Sequence, residues 1–128
     1  METTQQPRIF VVEDNLLYQQ LIGKELESLS NEIYYYTTGE ACLQDLHKQP
    51  SIVVLDYNLD GEINGLDTLQ EIRKFNPEIY VILFSSQKNL QTRENIDQYG
   101  SFNYLEKRGQ SFRLLRQMIK STYFEITR

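Results

Sequence analysis

The sequence has little cysteine, no long apolar run and a deficit of basic residues. Its one cysteine, Cys42, excludes an internal disulfide, and we expect a small buried side chain there because it lies in an amphipathic stretch. No stretch approaches the ~20 apolar residues of a membrane span, so no membrane partner is expected. Lys and Arg number 13 and Asp and Glu 18, which gives a net charge of -5. That charge opposes binding to nucleic-acid phosphates, so no direct nucleic-acid partner is predicted.

Features of a leader sequence or a second domain are also missing. Residues 1–7 are polar and lack the basic start and apolar core of a secretory signal, so we expect a flexible N-terminus on a cytoplasmic protein. The remaining residues, 8–128, suit one domain, because 40% of the chain is hydrophobic and 24% is charged. No internal repeat, low-complexity tract or linker rich in Pro, Gly and Ser is found. We therefore expect one stand-alone domain, as a monomer or weak dimer.

What the chain does contain is a regular alternation of two hydrophobic patterns. Short, unbroken, β-branched runs at 9–12, 52–55 and 80–84 are typical of strands covered on both faces of a parallel sheet. Two weaker strands are predicted at 33–36 and 102–105. Between the strands, apolar residues recur at helical spacing, as in Leu17, Leu21, Ile22, Leu26 and Leu29, and again in Leu66, Leu69, Ile72 and Phe75. Strand and helix alternate five times.

This alternation predicts an α/β fold of the flavodoxin-like, doubly wound kind. The expected sheet has five parallel strands in the order 2-1-3-4-5, with five helices on its two faces. Thr37 and Glu40 have capping-box spacing ahead of the second helix, and Ser111 is placed to cap the last helix, which should turn Ile126 inward. The fourth helix, at about 88–99, has few apolar residues, so we expect it to pack weakly.

Polar residues follow four of these strands, where an open α/β sheet places its ligand site. They are Glu13 and Asp14 after the first, Asp56 after the third, Ser85 and Ser86 after the fourth, and Glu106 and Lys107 after the fifth. Three carboxylates at one edge repel one another unless a cation shares the site. An oxygen-only ligand set without a Cys/His cluster favours Mg²⁺. Asp56 could then attack a phosphoryl group whose oxygens Lys107 and Ser85 hold.

Each of these residues also has a simpler interpretation. Asp14, followed by Asn15, could only cap the first helix, which for that residue alone is the better explanation. Asp56 could be a routine polar residue after a buried strand, Ser85 a turn residue, and Lys107 a solvated surface lysine. Their joint placement at four strand ends favours a site, because independent explanations would have to coincide.

The same residues carry a resemblance to the receiver domains of two-component response regulators, of the stand-alone, chemotaxis-regulator-like kind. The resemblance covers roughly residues 8–127. In that family an acidic pair after the first strand binds Mg²⁺ (or Mn²⁺), and Glu13 and Asp14 match that pair. Asp56 matches the aspartate that is phosphorylated and that also contacts the metal, and Asn58 falls where the family supplies a main-chain carbonyl to the metal.

The resemblance extends to the residues that bind the phosphoryl group and switch the surface. Ser85 takes the place of the switch Ser/Thr, and Ser86 that of its small neighbour. Lys107 matches the lysine after the fifth strand, and Tyr104 the aromatic residue that changes rotamer with phosphorylation.

The resemblance implies a phosphorelay switch, not an enzyme in the usual sense, since such a domain catalyses only its own phosphorylation and dephosphorylation. A histidine kinase or histidine phosphotransfer protein would supply the phosphoryl group to Asp56. The face made by the fourth helix, fifth strand and fifth helix would then regulate a downstream protein of unknown identity.

Two departures from the family are visible. Arg108 stands where proline usually follows the lysine, so we expect a trans peptide bond after Lys107, because a cis bond to a non-proline residue costs ~3 kcal/mol. The loop after Asp56 lacks the usual proline and is one residue longer. Its extra acids, Asp60 and Glu62, are expected to slow an anionic phosphodonor.

Three other functions compete with this hypothesis. A haloacid-dehalogenase-like phosphatase also uses an aspartate nucleophile and Mg²⁺. Phosphatases of that family have an Asp-x-Asp motif after the first strand, whereas in this chain Asp56 and Asn58 follow the third strand. A pseudo-receiver that only binds partners would have lost an acidic residue, the aspartate or the lysine, and all are present. A flavodoxin would need Gly, Ser and Thr in the first loop, which here is acidic.

Overall fold

The computed structural model describes residues 6–86 and 103–124, which include every candidate site residue. The predicted fourth helix at 88–99 and the predicted inward contact of Ile126 lie outside these residues. Among the residues that are described, no helix is both long enough and apolar enough to cross a bilayer.

Five parallel strands form one sheet in the order β2-β1-β3-β4-β5, which confirms the predicted order. The strands are β1 (Ile9–Val12), β2 (Ile33–Tyr36), β3 (Ile52–Leu55), β4 (Tyr80–Ser85) and β5 (Asn103–Glu106). Every residue of β1 and β3 is buried, because helices cover both faces, and this explains their unbroken apolar sequences. In the parallel register Val12 lies beside Leu55, and Leu55 beside Leu83. The carboxyl ends of neighbouring strands therefore meet at one edge.

Four α-helices lie within the described residues, and they account for four of the five predicted. They are α1 (Leu16–Leu26), α2 (Gly39–Gln44), α3 (Gly65–Phe75) and α4 (Ser111–Ile119), the last of which corresponds to the predicted fifth helix. A short 3₁₀ turn, Leu46–Lys48, follows α2, and a π-helical turn, Lys120–Phe124, follows α4.

The sheet separates two hydrophobic cores, because successive strand residues point to opposite faces. Phe10 and Leu55 belong to the core under α2 and α3, together with Leu69 and Ile72 of α3. The other core lies under α1 and α4 and comprises Ile9, Val11, Ile22, Leu26, Ile52, Val54, Ile82, Phe84, Leu115 and Ile119. Continuing the alternation beyond β1 and β3 places the next residues, Glu13 and Asp56, on the α1/α4 face.

The predicted helix caps at Thr37 and Ser111 are wrong. Thr38 caps α2 instead, since it has an extended backbone and its hydroxyl accepts the N–H of Ala41 at 3.1 Å. At α4 the chain enters through a turn in which the N–H of Ser111 donates to the carbonyl of Arg108, so Ser111 is already helical and buried. Gln110 precedes the helix and makes no side-chain cap.

The first helix forms as predicted, but its leucines do not all turn inward. Ile22 and Leu26 are buried, whereas Leu17 is 61% exposed and Leu21 is 40% exposed. The buried stripe passes through Gly23, where a Cβ would lie 2.2 Å from the Tyr35 hydroxyl oxygen. Helix α1 therefore buries a narrow stripe and presents an apolar strip to solvent.

Candidate functional site

Three carboxylates meet where β1 and β3 end. Glu13 and Asp14 follow β1 and Asp56 follows β3, and one carboxylate oxygen of each lies within 4.8 Å of the others. Two backbone hydrogen bonds extend the sheet to this point: Asp56 N–H donates to Val12 O at 3.0 Å, and Glu13 N–H donates to Tyr36 O at 2.9 Å. Glu13 and Asp56 are buried, whereas Asp14 is half-buried. The predicted acidic site is therefore assembled at the expected edge.

Lys107 reaches into this acidic group from the end of β5. Its Nζ donates to Glu13 Oε1 at 2.6 Å and to Asp56 Oδ2 at 3.3 Å, and its side chain is only 4% exposed. Its backbone N–H donates to Ser85 O at 2.7 Å, which fixes the residue to the end of β4. The sequence predicted Lys107 beside Asp56, but Glu13 is the nearer partner.

The buried position of Glu13 beside Asp56 changes the pKa of its carboxyl group. Burial raises the pKa of Glu13 to about 7, the negative charge of Asp56 adds to the rise, and hydrogen bonds from Lys107 and from the N–H of Asn15 oppose it. Burial is the larger cause, so the carboxyl group of Glu13 resists ionisation chiefly because it is removed from water.

The residues present fit a divalent metal ion. The donors are carboxylate oxygens, without a nitrogen or sulfur ligand in the cluster, which is the set that Mg²⁺ and Mn²⁺ prefer. A cation would also supply the positive charge that the cluster lacks. Asn58, predicted to offer its main-chain carbonyl, lies close by, since its N–H donates to Asp56 Oδ1 at 3.3 Å.

The capping explanation for Asp14 is wrong. Asn15 is the N-cap of α1, and its side-chain oxygen accepts the N–H of Tyr18 at 3.0 Å. The N–H of Asn15 in turn donates to Glu13 Oε2 at 3.0 Å. The helix start is thus satisfied by Asn15, and Asp14 lies among the acids of the cluster.

The loop after Asp56 is held by contacts that the sequence did not reveal. Gly65 begins α3 directly against the strand end, where a Cβ would lie 2.3 Å from Asp56 O. Gly61 has a φ of 102°, and the neighbouring Glu62 N–H donates to the Glu40 carboxylate at 2.8 Å. Glu40, predicted as part of a capping box, thus ties this loop to the start of α2.

Ser85 and Tyr104 share the α2/α3 face of the sheet. Tyr104 is paired in register with Leu83, and both pack in that core. Ser85 comes two residues after Leu83 and so falls on the same face. Ser85 is fully buried, Tyr104 is half-buried, and Ser86 is exposed. The two predicted switch residues therefore fall on the same face of the sheet, near the end of β4.

The predicted trans peptide bond after Lys107 is confirmed, because no cis peptide bond occurs in the described ranges. Arg108, the residue that replaces the usual proline, is exposed, and its guanidinium donates to Glu106 Oε1 at 2.7 Å.

Sequence reasoning missed an aromatic residue that covers Lys107. The Lys107 ammonium lies 4.4 Å from the centroid of the Tyr18 ring and 5.8 Å from that of Phe84. Tyr18 comes four residues after Asp14, one turn into α1, and helical side chains tilt toward the helix N-terminus. That spacing was the available signal for its position beside the site.

A family model, that of the response regulator receiver domain, matches residues 9–120. The chain belongs to this family. It is a receiver domain, the signalling module of two-component systems, whose members are typically phosphorylated and bind Mg²⁺ at an acidic cluster. The order of strands and the acidic group after β1 and β3 agree with this assignment.

Curated relatives are longer than this receiver domain. An NtrX-like response regulator of Rickettsia conorii is 32% identical over 101 residues, which are 77% of this chain and 21% of that protein. The protein-glutamate methylesterase/protein-glutamine glutaminase of Clostridium acetobutylicum is 30% identical over 112 residues, which are 84% of this chain and 32% of that protein. The chain therefore spans about a fifth to a third of these relatives.

Solved receiver structures share the fold. The BeF3-activated DrrB receiver domain has a TM-score of 0.85 at 24% identity, covering 94% of this chain and 99% of that one. The Mn²⁺-bound form of response regulator Rcp1 has a TM-score of 0.75 at 21% identity, covering 93% of this chain and 95% of that one.

Proposed function

We propose that this receiver domain is a phosphorelay switch that accepts a phosphoryl group on Asp56 in a Mg²⁺-dependent reaction. The observation that carries the proposal is the setting of the Asp56 carboxylate, which ends a buried strand, lies within an acidic cluster and accepts a hydrogen bond from Lys107 at 3.3 Å. The donor is a histidine kinase or a histidine phosphotransfer protein.

In the proposed reaction an oxygen of Asp56 attacks phosphorus while the bond from phosphorus to the donor nitrogen breaks. The product is a mixed anhydride of carboxylic and phosphoric acid, and the electron pair of the broken bond stays on the donor imidazole. Lys107, close to Asp56 already, is suited to bind an oxygen of the phosphoryl group. The Ser85 hydroxyl binds another, with Ser86 beside it.

Glu13, Asp14, Asp56 and the main-chain carbonyl of Asn58 are proposed to hold the metal ion. When bound, Mg²⁺ would neutralise charge on the acids and on the phosphoryl oxygens. The close approach of the three carboxylates, one oxygen of each within 4.8 Å of the others, supports a cation at this place. At ~100 times its dissociation constant, Mg²⁺ should stabilise the domain by ~2.7 kcal/mol, and the double variant Glu13→Gln, Asp14→Asn should lose this effect.

The output is proposed to pass from Ser85 to Tyr104. Because both lie on the α2/α3 face, movement of the Ser85 hydroxyl toward a phosphoryl group would open space that the Tyr104 ring can enter. In this proposal the half-buried Tyr104 ring changes position when Ser85 moves, so that one hydrogen bond shifts the population of two surface states. The face that would respond comprises β5, α4 and the predicted helix at 88–99, and a downstream protein would bind there.

Labelling with acetyl phosphate tests the proposal. Intact-mass spectrometry should show one added phosphoryl group on the wild-type chain with Mg²⁺, and none after chelation. Asp56→Asn should take no label, whereas Asp67→Asn, a change in the capping box of α3 away from the cluster, should be labelled normally. Stoichiometric labelling of Asp56→Asn would refute the assignment, and an unlabelled wild-type chain would favour a pseudo-receiver.

A beryllofluoride titration followed by NMR tests the switch. Shifts should extend from Ser85 through Tyr104 and along the predicted helix at 88–99, and the Ser85→Ala variant should reduce them. Shifts limited to the residues around Asp56 would instead indicate a static Tyr104.

A further inference from the structure

Two aromatic rings lie near the Lys107 ammonium on the α1/α4 face, and a third packs against both of them. Its ammonium lies 4.4 Å from the Tyr18 centroid and 5.8 Å from the Phe84 centroid. Phe112 of α4 contacts both of these rings, at 6.0 Å from Tyr18 and in an edge-on arrangement at 5.2 Å from Phe84. The Tyr18 ring is closer to the Lys107 ammonium than the Phe84 ring is.

Tyr18 is fixed in place from two directions. Its backbone N–H donates to the Asn15 side chain at 3.0 Å, and the Asn15 N–H donates to Glu13 Oε2, so the backbone at the start of α1 is held beside the acid that Lys107 contacts. Its ring packs against Phe112. The backbone cap and the packing against Phe112 therefore place the ring beside Lys107.

The cation–π contact between Lys107 and Tyr18 is favoured because the ammonium is removed from water. A cation over an aromatic face gains most when it is desolvated, and the Lys107 side chain is only 4% exposed. The same ammonium has two carboxylate partners at unequal distances, 2.6 Å to Glu13 and 3.3 Å to Asp56. Its position decides how it divides its hydrogen bonds between them.

We propose that Tyr18 is a positioning residue that holds the Lys107 ammonium beside Asp56 and thereby sets the rate at which Asp56 is phosphorylated. The aromatic face supplies the effect, and the phenol hydroxyl does not. This inference rests on the proposed function of Asp56. Without the ring, Lys107 gains freedom to turn away from Asp56 and leaves the incoming phosphoryl oxygens without a fixed cation.

The test compares Tyr18→Phe, which keeps the aromatic face, with Tyr18→Leu and Tyr18→Met, which fill space without it. Tyr35→Leu is the matched control, because it makes the same change at a ring that also contacts α1, at Gly23, but on the exposed side of β2. All variants are first checked for a cooperative melting curve, and having two non-aromatic variants protects the test against one that fails to fold.

The first readout needs no phosphorylation. In the unphosphorylated chain, the NMR signals of the Lys107 ε-methylene should show the upfield shift of a group over an aromatic face. That shift should persist in Tyr18→Phe and Tyr35→Leu and should fall sharply in Tyr18→Leu and Tyr18→Met. An unchanged shift in the non-aromatic variants would overturn the inference.

The second readout is the rate of labelling by acetyl phosphate with saturating Mg²⁺. We expect the rate to fall about tenfold in Tyr18→Leu and to stay within about twofold of wild type in Tyr18→Phe, as the usual strength of a desolvated cation–π contact implies. Equal rates for Tyr18→Leu and wild type would overturn the inference. A Tyr18→Phe rate as low as that of Tyr18→Leu would overturn it as well. Both results would leave the proposed function of Asp56 intact. A wild-type chain that takes no label would overturn both.

Discussion

In the absence of metal, the stability of this receiver domain should fall as the pH rises from 4.5 to 7, because of Glu13. Burial, together with the charge of Asp56, raises the pKa of Glu13 from 4.5 to about 7, so the folded state binds this proton more tightly than the unfolded state does. The stabilisation from that proton is complete below pH 4.5 and is lost as the pH passes through about 7. A pKa difference of about 2.5 corresponds to about 3 kcal/mol.

Urea unfolding in chelator at a series of pH values measures this effect, with Glu13→Gln as the test variant. The variant and the wild type should be equally stable near pH 4, where Glu13 is protonated, and above pH 7 the variant should be more stable by about 3 kcal/mol. Taking the difference between the two chains removes the contribution of other titrating groups. Glu32→Gln is the control, because Glu32 is a 39% exposed acid paired with Arg8 and its loss should give no such pH-dependent gain.

Saturating Mg²⁺ should narrow the difference in stability between the two chains at pH 7.5. The wild type then gains ~2.7 kcal/mol at ~100 times the dissociation constant, and Glu13→Gln gains less because it has lost a ligand. A difference between the chains that does not change with pH in chelator, or one that grows toward low pH, would refute the reasoning about Glu13.

Three further perturbations have definite expected outcomes. Gly65→Ala should lower the free energy of unfolding in urea by about 1–3 kcal/mol, because the added Cβ meets Asp56 O. Gly109→Ala, which has open space around it, should stay within about 0.5 kcal/mol of wild type. Equal losses in the two variants would contradict the close approach of Gly65 to Asp56. Cys42, buried and with its pKa raised to about 12 by that burial, should resist iodoacetamide at pH 8 until the chain is unfolded, and rapid native labelling would be inconsistent with its position. Glu40→Gln should speed hydrogen exchange at the Glu62 amide, and unchanged exchange would mean that the loop is held by other contacts.

The sheet was predictable because burial on both faces leaves a strong sequence signal. Strands β1 and β3 have the predicted bounds, and β4 extends one residue further, to Ser85. Helix ends were less predictable, because two adjacent threonines can each act as a cap and only the path of the chain selects Thr38. The exposure of Leu17 was missed for a related reason: apolar spacing marks a helix, but the width of its buried stripe depends on what it packs against.

The acids of the candidate site were predictable from position alone, since Glu13, Asp14 and Asp56 follow strands that are neighbours in the common order. The partners of Lys107 were not. Glu13 and Lys107 are 94 residues apart in the chain, and their 2.6 Å contact depends on side-chain geometry at the sheet edge. Predicting the contact between Tyr18 and Lys107 requires the orientation of α1, and predicting the hydrogen bond from Glu62 to Glu40 requires the path of the loop after Asp56. Local sequence patterns specify neither of these.

Chemical trapping of the modified residue tests most directly whether Asp56 carries the phosphoryl group. After incubation with acetyl phosphate and Mg²⁺, borohydride reduces an aspartyl phosphate to homoserine, which peptide mass spectrometry can locate. We predict homoserine at position 56, formed only with Mg²⁺ and absent from Asp56→Asn. Homoserine at another aspartate, such as Asp14 or Asp60, or none in a folded wild-type chain with Mg²⁺, would contradict it.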